Sequence, residues 1–278
     1  MIDSIADWIS QAPAPLLGGL LLALAVGAAF IGRALRARND RKRGQTTSGF
    51  ASDDQEGYIV SGVLGLLALL MGFTFAMAVD RFDTRRHLVL DEANAIGTTY
   101  LRAQLLAEPH RTRLSKLLVD YTDNRIRLAT AARRDVPKLL VDNDKMVTDL
   151  WAASAAAFDS ISNLDFSSSF IETVNNVIDL DTARKASYVA RVPAEVLVVL
   201  AVYIVVTSGV LGYVLTGFRG KIAGIFLIAL LTIALSLIID LDRPNLGGIR
   251  VSQAPMEMLR ASLKQQPPEV FDRYRNEH

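Results

Sequence analysis

Apolar and polar positions divide this chain into long uncharged runs and amphipathic stretches. From Gly57 to Val79 it reads GYIVSGVLGLLALLMGFTFAMAV, with no charge. It then passes directly into DRFDTRRHLVLDEANAIGTTYLRAQLL, where Phe82, Val89, Ala93, Ile96 and Tyr100 recur at helical spacing. No proline intervenes before Pro109. The pattern therefore predicts one helix over Gly57–Leu106, about 75 Å long at 1.5 Å per residue and more than twice the hydrocarbon thickness of a bilayer. Three other uncharged runs predict spans at Pro15–Gly32, Val196–Phe218 and Ile222–Ile239, and the second span is Tyr58–Val79. The first run begins at Trp8 and has acids before it (Asp3, Asp7) and bases after it, the reverse of a signal peptide, so it reads as a retained span.

Between the second and third spans the period stays helical. A helix is expected over His110–Arg134, with Leu114, Leu117, Leu118, Tyr121, Leu128 and Ala132 inward, broken by Asp135-Val136-Pro137. Another is expected over Asn143–Ile161 with Met146, Val147, Leu150, Trp151, Ala157 and Phe158 inward, and a last one over Asp165–Ala190 with Phe170, Ile171, Val174, Val177 and Ile178. Together with the outer half of the first rod these make an antiparallel four-helix bundle, which returns the chain to the membrane at Pro193. The fold class is all-α: a four-span helical membrane protein with a four-helix bundle inserted between spans 2 and 3. The expected divisions are 1–56 (first span and basic loop), 57–79 (second span), 80–192 (bundle), 193–239 (third and fourth spans) and 240–278. In the last part Ser252 can cap a helix over Gln253–Lys264, whose Met256, Leu259 and Leu263 lie on the bundle or the membrane surface, followed by a polar tail from Gln265.

Composition adds exclusions. Hydrophobic residues make up 51% of the 278, in clustered runs, as in a membrane protein. The net charge of +1 gives no pull toward nucleic acid. The absence of cysteine removes disulfides, thiolate metal sites and cysteine nucleophiles. Three histidines are scattered and His87 has no second ligand at metal-site spacing. There is no HExxH and no phosphate-binding glycine loop, so no enzyme activity, metal or cofactor is expected. The expected partner is the lipid bilayer, with no nucleic acid.

Small residues recur every four positions at Ala68, Gly72 and Ala76 in the second span and at Ser208, Gly212 and Thr216 in the third. Either stripe lets another helix approach closely, within one subunit or between subunits. Thr232 and Ser236 are expected to bond back to their own helix. RALRARNDRKR, Arg33–Arg43, carries six bases and one acid. It reads as a topology anchor, and the same charges suit an anionic-lipid contact. GQTTSGFASDDQEG after it reads as a linker and NLGG, from Asn245, as a turn. At the membrane boundaries stand Asp80, Arg81 and Phe82, and again Asp240, Asp242 and Arg243. Local pairing with Arg243 or solvation is the expectation for the two acids.

Four spans put both termini and the bundle on one side. The charges around the first span, which carries most weight because it often sets orientation, make the basic loop cytoplasmic and the bundle and both termini periplasmic, with a cytoplasmic bundle as the alternative. Counting all flanks ties at eight bases each: Arg33, Arg36, Arg38, Arg41, Lys42, Arg43, Arg219 and Lys221 against Arg81, Arg85, Arg86, Arg184, Lys185, Arg191, Arg243 and Arg250. The location implied is a bacterial inner membrane.

GFTFAMAVDRFDTRRHLVLDEANAIGTTYLRAQLL (Gly72–Leu106) and LDRPNLGGIRVSQAPMEML (Leu241–Leu259) resemble the bacterial membrane proteins grouped as bestrophin-like domain proteins, a resemblance that covers most of the chain. Gly72-Phe73, followed by Val79, Arg81 and Phe82, is also similar to the second membrane helix of bestrophin anion channels, which has a glycine–phenylalanine pair, then a valine, an arginine and a tryptophan. Their neck of three apolar residues corresponds to Gly65, Leu69 and Phe73 here. Their acidic calcium-binding run has no counterpart beyond Asp240 and Asp242. The resemblance implies an oligomeric anion channel, with further copies of the chain and a small anion as partners, a cytosolic helical region, and a pore lined by Leu69, Phe73 and Thr74. The other reading of the chain is a membrane-anchored sensor or scaffold that works through its bundle and a partner.

Overall fold

A computed structural model describes residues 12–43, 50–215, 217–244 and 248–273. Trp8–Gln11 of the first run, the first part of the linker (44–49), Thr216, Asn245–Gly247 of the turn and the last five residues lie outside the described residues. Regular structure among those described is helical throughout: α1 Ala14–Arg43, α2 Phe50–Ala103, α3 His110–Thr130, α4 Val136–Ile161, α5 Phe166–Val189, α6 Ala194–Val214, α7 Gly217–Asp242, α8 Ala254–Gln265 and a 3-10 turn at Pro268–Asp272. Four of these helices hold stretches long and apolar enough to cross a membrane, so the protein is an all-α membrane protein of four spans.

Several boundaries differ from the sequence expectation. The basic cluster after Gly32 continues α1 as helix, since arginine and lysine are good helix formers. Phe50–Gly57, expected as linker, is the start of α2, which has 54 residues and ends at Ala103. Asp135-Val136-Pro137 opens α4 rather than only closing α3. Pro137 sits in the first turn, where its missing N–H leaves no bond unmade.

The contacts divide the chain into two units, Met1–Phe82 with Arg191–Arg250, and Asp83–Ala190 with Val251–His278. In the first unit α1 packs along α6 and also touches α7. The α1–α6 approach is a backbone approach. A Cβ on Gly32 would overlap the Gly209 carbonyl oxygen, and one on Gly212 would lie 2.7 Å from the Ala29 Cα. Ala25 and Ala29 are buried beside this crossing. Lipid offers helices no hydrophobic drive to associate, so close packing of small residues supplies the attraction. Arg36 closes the end of α6: its guanidinium donates to the carbonyls of Tyr213 (3.0 Å) and Val214 (3.2 Å) and lies over the Tyr213 ring. A cation at a helix C-terminus satisfies carbonyls that have no partner within the helix. Leu20, Phe30, Val202, Val206, Phe226 and Ile233 are exposed on the outside of this unit, as lipid-facing residues must be.

In the second unit the outer half of α2, with α3, α4 and α5, encloses a core that includes Val89, Ile96, Leu114, Leu118, Leu150 and Phe170. Leu150 and Ala157 are buried as expected, whereas Trp151 and Phe158, also expected inward, are 44% and 38% exposed, and Ala153 takes an interior position of α4. Ala132 lies beyond the end of α3 and is exposed. The residues after α8 are pinned rather than frayed up to the last described ones. Met256 and Leu263 are buried in the bundle core, the Tyr100 hydroxyl donates to the Gln266 carbonyl (2.8 Å), and Arg111 holds Asp272 in a two-bond fork (2.6 and 2.9 Å). Arg111 also bonds Glu108 and keeps its carboxyl below the usual carboxylate range.

Candidate functional site

The membrane half of α2 has two opposite sides. Leu67, Met71 and Ala78 are buried against the other spans. At 3.6 residues per turn, Leu69, Phe73, Ala76 and Asp80 fall on the opposite side, and all four are exposed, Leu69 at 55% and Phe73 at 63%. Ala68 and Gly72 are exposed as well. A Cβ added to Gly62, Gly65 or Gly72 would meet nothing within 4 Å, so the glycines of this face make no close contact within the chain. The stripe Ala68–Gly72–Ala76 is therefore not a packing seam inside one subunit. The seam is formed by Gly212 and Ser208 of α6, both buried, with the Ser208 hydroxyl donating back to Ile204 (2.7 Å). The structure does not bring Thr74 together with Leu69 and Phe73. Thr74 is 4% exposed on the inner side of α2 and its hydroxyl donates to the Leu70 carbonyl (2.8 Å). Thr232 and Ser236 bond back within α7 (2.8 and 2.7 Å).

At the end of α7 three side chains clasp backbone. Both oxygens of Asp242, 3% exposed, accept the Val192 N–H (3.0 and 3.1 Å) where the chain enters α6. Asp240 accepts from the N–H groups of Gly248 (2.8 Å) and Ile249 (3.1 Å). The Arg243 guanidinium, 4% exposed, donates to the Ala12 carbonyl ahead of α1. These groups satisfy backbone at two chain entries and one loop, as buried backbone groups require, and the Arg243 charge also faces Asp242 and Asp240. At the other boundary Asp80 is exposed, while Arg81 and Phe82 are half-buried, with Phe82 packed on the membrane core.

The bundle holds a buried ionic network that the sequence reading missed. Glu92 of α2, fully buried, faces Arg125 of α3 (3.0 Å) and Arg184 of α5. Asp181, 2% exposed, accepts from Arg125 (3.1 Å), Asn143 (2.8 Å) and the Tyr121 hydroxyl (3.2 Å), and its second oxygen meets Lys185 (2.5 Å). Tyr121 also donates to Glu92 (2.5 Å), and Lys185 reaches Asp144 (2.5 Å). Four helices are thus joined through one set of alternating charges. A signal existed in the sequence: Glu92 lies between Val89 and Ile96 on the apolar stripe of α2, and Asp181 and Arg184 continue the stripe of Val174 and Val177 on α5. A charge at a core position has to be paired.

This network fixes a pH response. Burial, then the Glu92 charge, raises the Tyr121 hydroxyl well above its ordinary value. Burial lowers Lys185, but the bonds to Asp144 and Asp181 outweigh it and leave its proton held more tightly than usual. Both groups are raised, so the stability they contribute is full below their unfolded values of about 10 and is lost as pH climbs through the folded values. Thermal unfolding followed by circular dichroism should be flat between pH 7 and 9 and fall above about pH 10. Tyr121→Phe should fall less steeply over that range. An equal alkaline loss in wild type and Tyr121→Phe contradicts this assignment.

No curated protein matches the chain by sequence. Among solved structures it is similar in fold to a bacterial bestrophin homologue from Klebsiella pneumoniae. One crystal structure of that protein, carrying a tryptophan-to-alanine substitution, is 15% identical over 92% of this chain and 97% of the other, with a TM-score of 0.63. A leucine-to-threonine variant gives 15%, 89%, 98% and 0.64, and the zinc-phased structure 15%, 88%, 97% and 0.62. Identity at this level speaks for the fold. The family is carried by the sequence itself: the Bestrophin-like domain matches residues 19–256, from the first turns of α1 into α8, and the chain belongs to that family.

Proposed function

We propose that the protein is a subunit of a homo-oligomeric channel that passes small anions across the bacterial inner membrane. The observation that carries this reading is the outer side of α2. An apolar face bearing Leu69 and Phe73 stands exposed, flanked by glycines whose open side has no neighbour in the chain. Copies arranged around an axis would bring these faces together, with the small residues allowing close approach and the Leu69 and Phe73 rings forming a constriction that gates by dewetting. Family membership supports the same reading. The bundle and both termini are assigned to the cytoplasm. The charge counts of the two sides tie, and the bestrophin resemblance supports this orientation over the periplasmic one expected from the first span; a C-terminal reporter fusion tests it.

Purified protein reconstituted in planar bilayers should carry anion current. Phe73→Ala, which widens and wets the constriction, should raise that current several-fold. Thr74→Ala, on the inner side of α2, should leave it unchanged. A protein that stays monomeric in both detergent and lipid, or a Phe73→Ala channel indistinguishable from wild type, would falsify the reading.

A further inference from the structure

Beside the middle of α1, where it meets the end of α6 and the first half of α7, lies a slot of about 240 Å³. Its walls are apolar, with Val26 and Phe30 from α1, Leu215 after α6 and Ile228 from α7. Gly212 and Gly224 leave part of its floor without side chains. One charged group reaches it. Arg33 is half-buried, its guanidinium carbon lies 5.7 Å from the Phe30 ring centroid, and its Nε is buried with no acceptor from the protein. A buried charged donor without an acceptor is costly. The apolar slot and the polar demand at its mouth therefore ask for one molecule with both characters.

The charge beyond this slot has one sign. Arg36, Arg38 and Arg41 follow Arg33 on α1, and Arg219 and Lys221 stand at the start of α7. Arg36 is bonded to the last carbonyls of α6, which places the same ends together. Its ion-pair partner Asp40 is the one acid in this stretch of α1 and is largely exposed. Basic pockets between spans at a membrane face suit anionic headgroups.

We infer that this slot binds an anionic phospholipid, with the headgroup phosphate on the Arg33 guanidinium and an acyl chain lying between Phe30 and Ile228. A neighbouring apolar helix would cover the walls but would leave the Arg33 Nε without an anion. The inference does not depend on ion conduction, because binding is read without current.

The test is native mass spectrometry of the full-length protein in detergent, titrated separately with dioleoyl phosphatidylglycerol, dioleoyl phosphatidylcholine and sn-glycerol 3-phosphate. One phosphatidylglycerol per subunit should bind, about tenfold tighter than phosphatidylcholine, since both bring a phosphate to Arg33 but the choline cation of the second is set against the surrounding bases. Glycerol 3-phosphate should show no binding, because it has no chain to fill the slot. Arg33→Gln should reduce the preference for the anionic headgroup, and Ala229→Phe, which fills the slot, should weaken both lipids about tenfold by excluding the chain. Equal binding of the two lipids, binding of glycerol 3-phosphate alone, or an Ala229→Phe variant that changes oligomeric state and keeps its lipid would each overturn the inference. The headgroup comparison on unmodified protein decides the matter even where a variant fails to fold.

Discussion

Glu92→Leu should lower the thermal transition of the bundle by roughly 10 °C, the largest loss expected from any single side-chain removal in this protein. Glu92 is fully buried and pairs with two arginines, Arg125 and Arg184, which are themselves 4% and 2% exposed. Removing one partner of a buried pair leaves an uncompensated charge, at a cost of about 3–5 kcal/mol. That is a large share of a total stability of about 5–15 kcal/mol. Tyr121 would also lose the acceptor of its shorter bond. Two further variants separate charge from shape. Glu92→Gln keeps the shape and should fall between wild type and leucine. Arg125 keeps Asp181, so Arg184 is the charge left without its carboxylate, and combining Glu92→Leu with Arg184→Met should recover part of the loss. The transition can be followed by circular dichroism of the detergent-solubilised protein, and a leucine variant that melts within about 2 °C of wild type would show that the network is not a principal support of the bundle.

Gly212→Leu is the second severe change, and it acts in the membrane part. A side chain there meets backbone, with the Ala29 Cα 2.7 Å from the first added carbon, so no rotamer relieves the clash. Overpacking a tight core costs about 1–3 kcal/mol when side chains can shift, and more is expected where two helix backbones must separate. The variant should lose its monodisperse peak in fluorescence-detected size exclusion. Gly72→Leu is the matched control. The open space beside Gly72 accepts a side chain within one subunit, so the isolated fold should survive, and any defect should be confined to assembly or conduction. If both variants behave alike, the distinction drawn between the inner seam of α6 and the outer face of α2 fails.

Much of the architecture was legible because membrane spans and amphipathic helices carry strong periodic signals. The four apolar runs, the continuity of α2, the inward set of α5 and that of α3 as far as Tyr121 follow directly from spacing. Boundaries were less so. The basic residues after Gly32 look like loop material, yet they are helix formers and α1 continues through them. Trp151 and Phe158 were expected inward because they are large and apolar, whereas α4 turns its alanines to the core. The small-residue stripes show a limit of pattern reading. Spacing of four is the same for Ala68–Gly72–Ala76 and for Ser208–Gly212, but only the second meets a neighbour within the chain. The ionic network was missed because charges on amphipathic helices are ordinarily solvated. Long-range pairings such as Glu92 with Arg184, or Asp242 with the Val192 N–H, leave no mark in local sequence.

The clasp at the end of α7 has a consequence for how the chain can vary. Asp240, Asp242 and Arg243 each grip main chain: the N–H groups of Gly248, Ile249 and Val192, and the carbonyl of Ala12. Every residue other than proline offers the same N–H, and every residue offers the same carbonyl. The demand of these backbone bonds therefore falls on the residue that makes the grip, while a substitution at Val192, Ile249 or Ala12 to any residue that keeps the main-chain group leaves the bond in place.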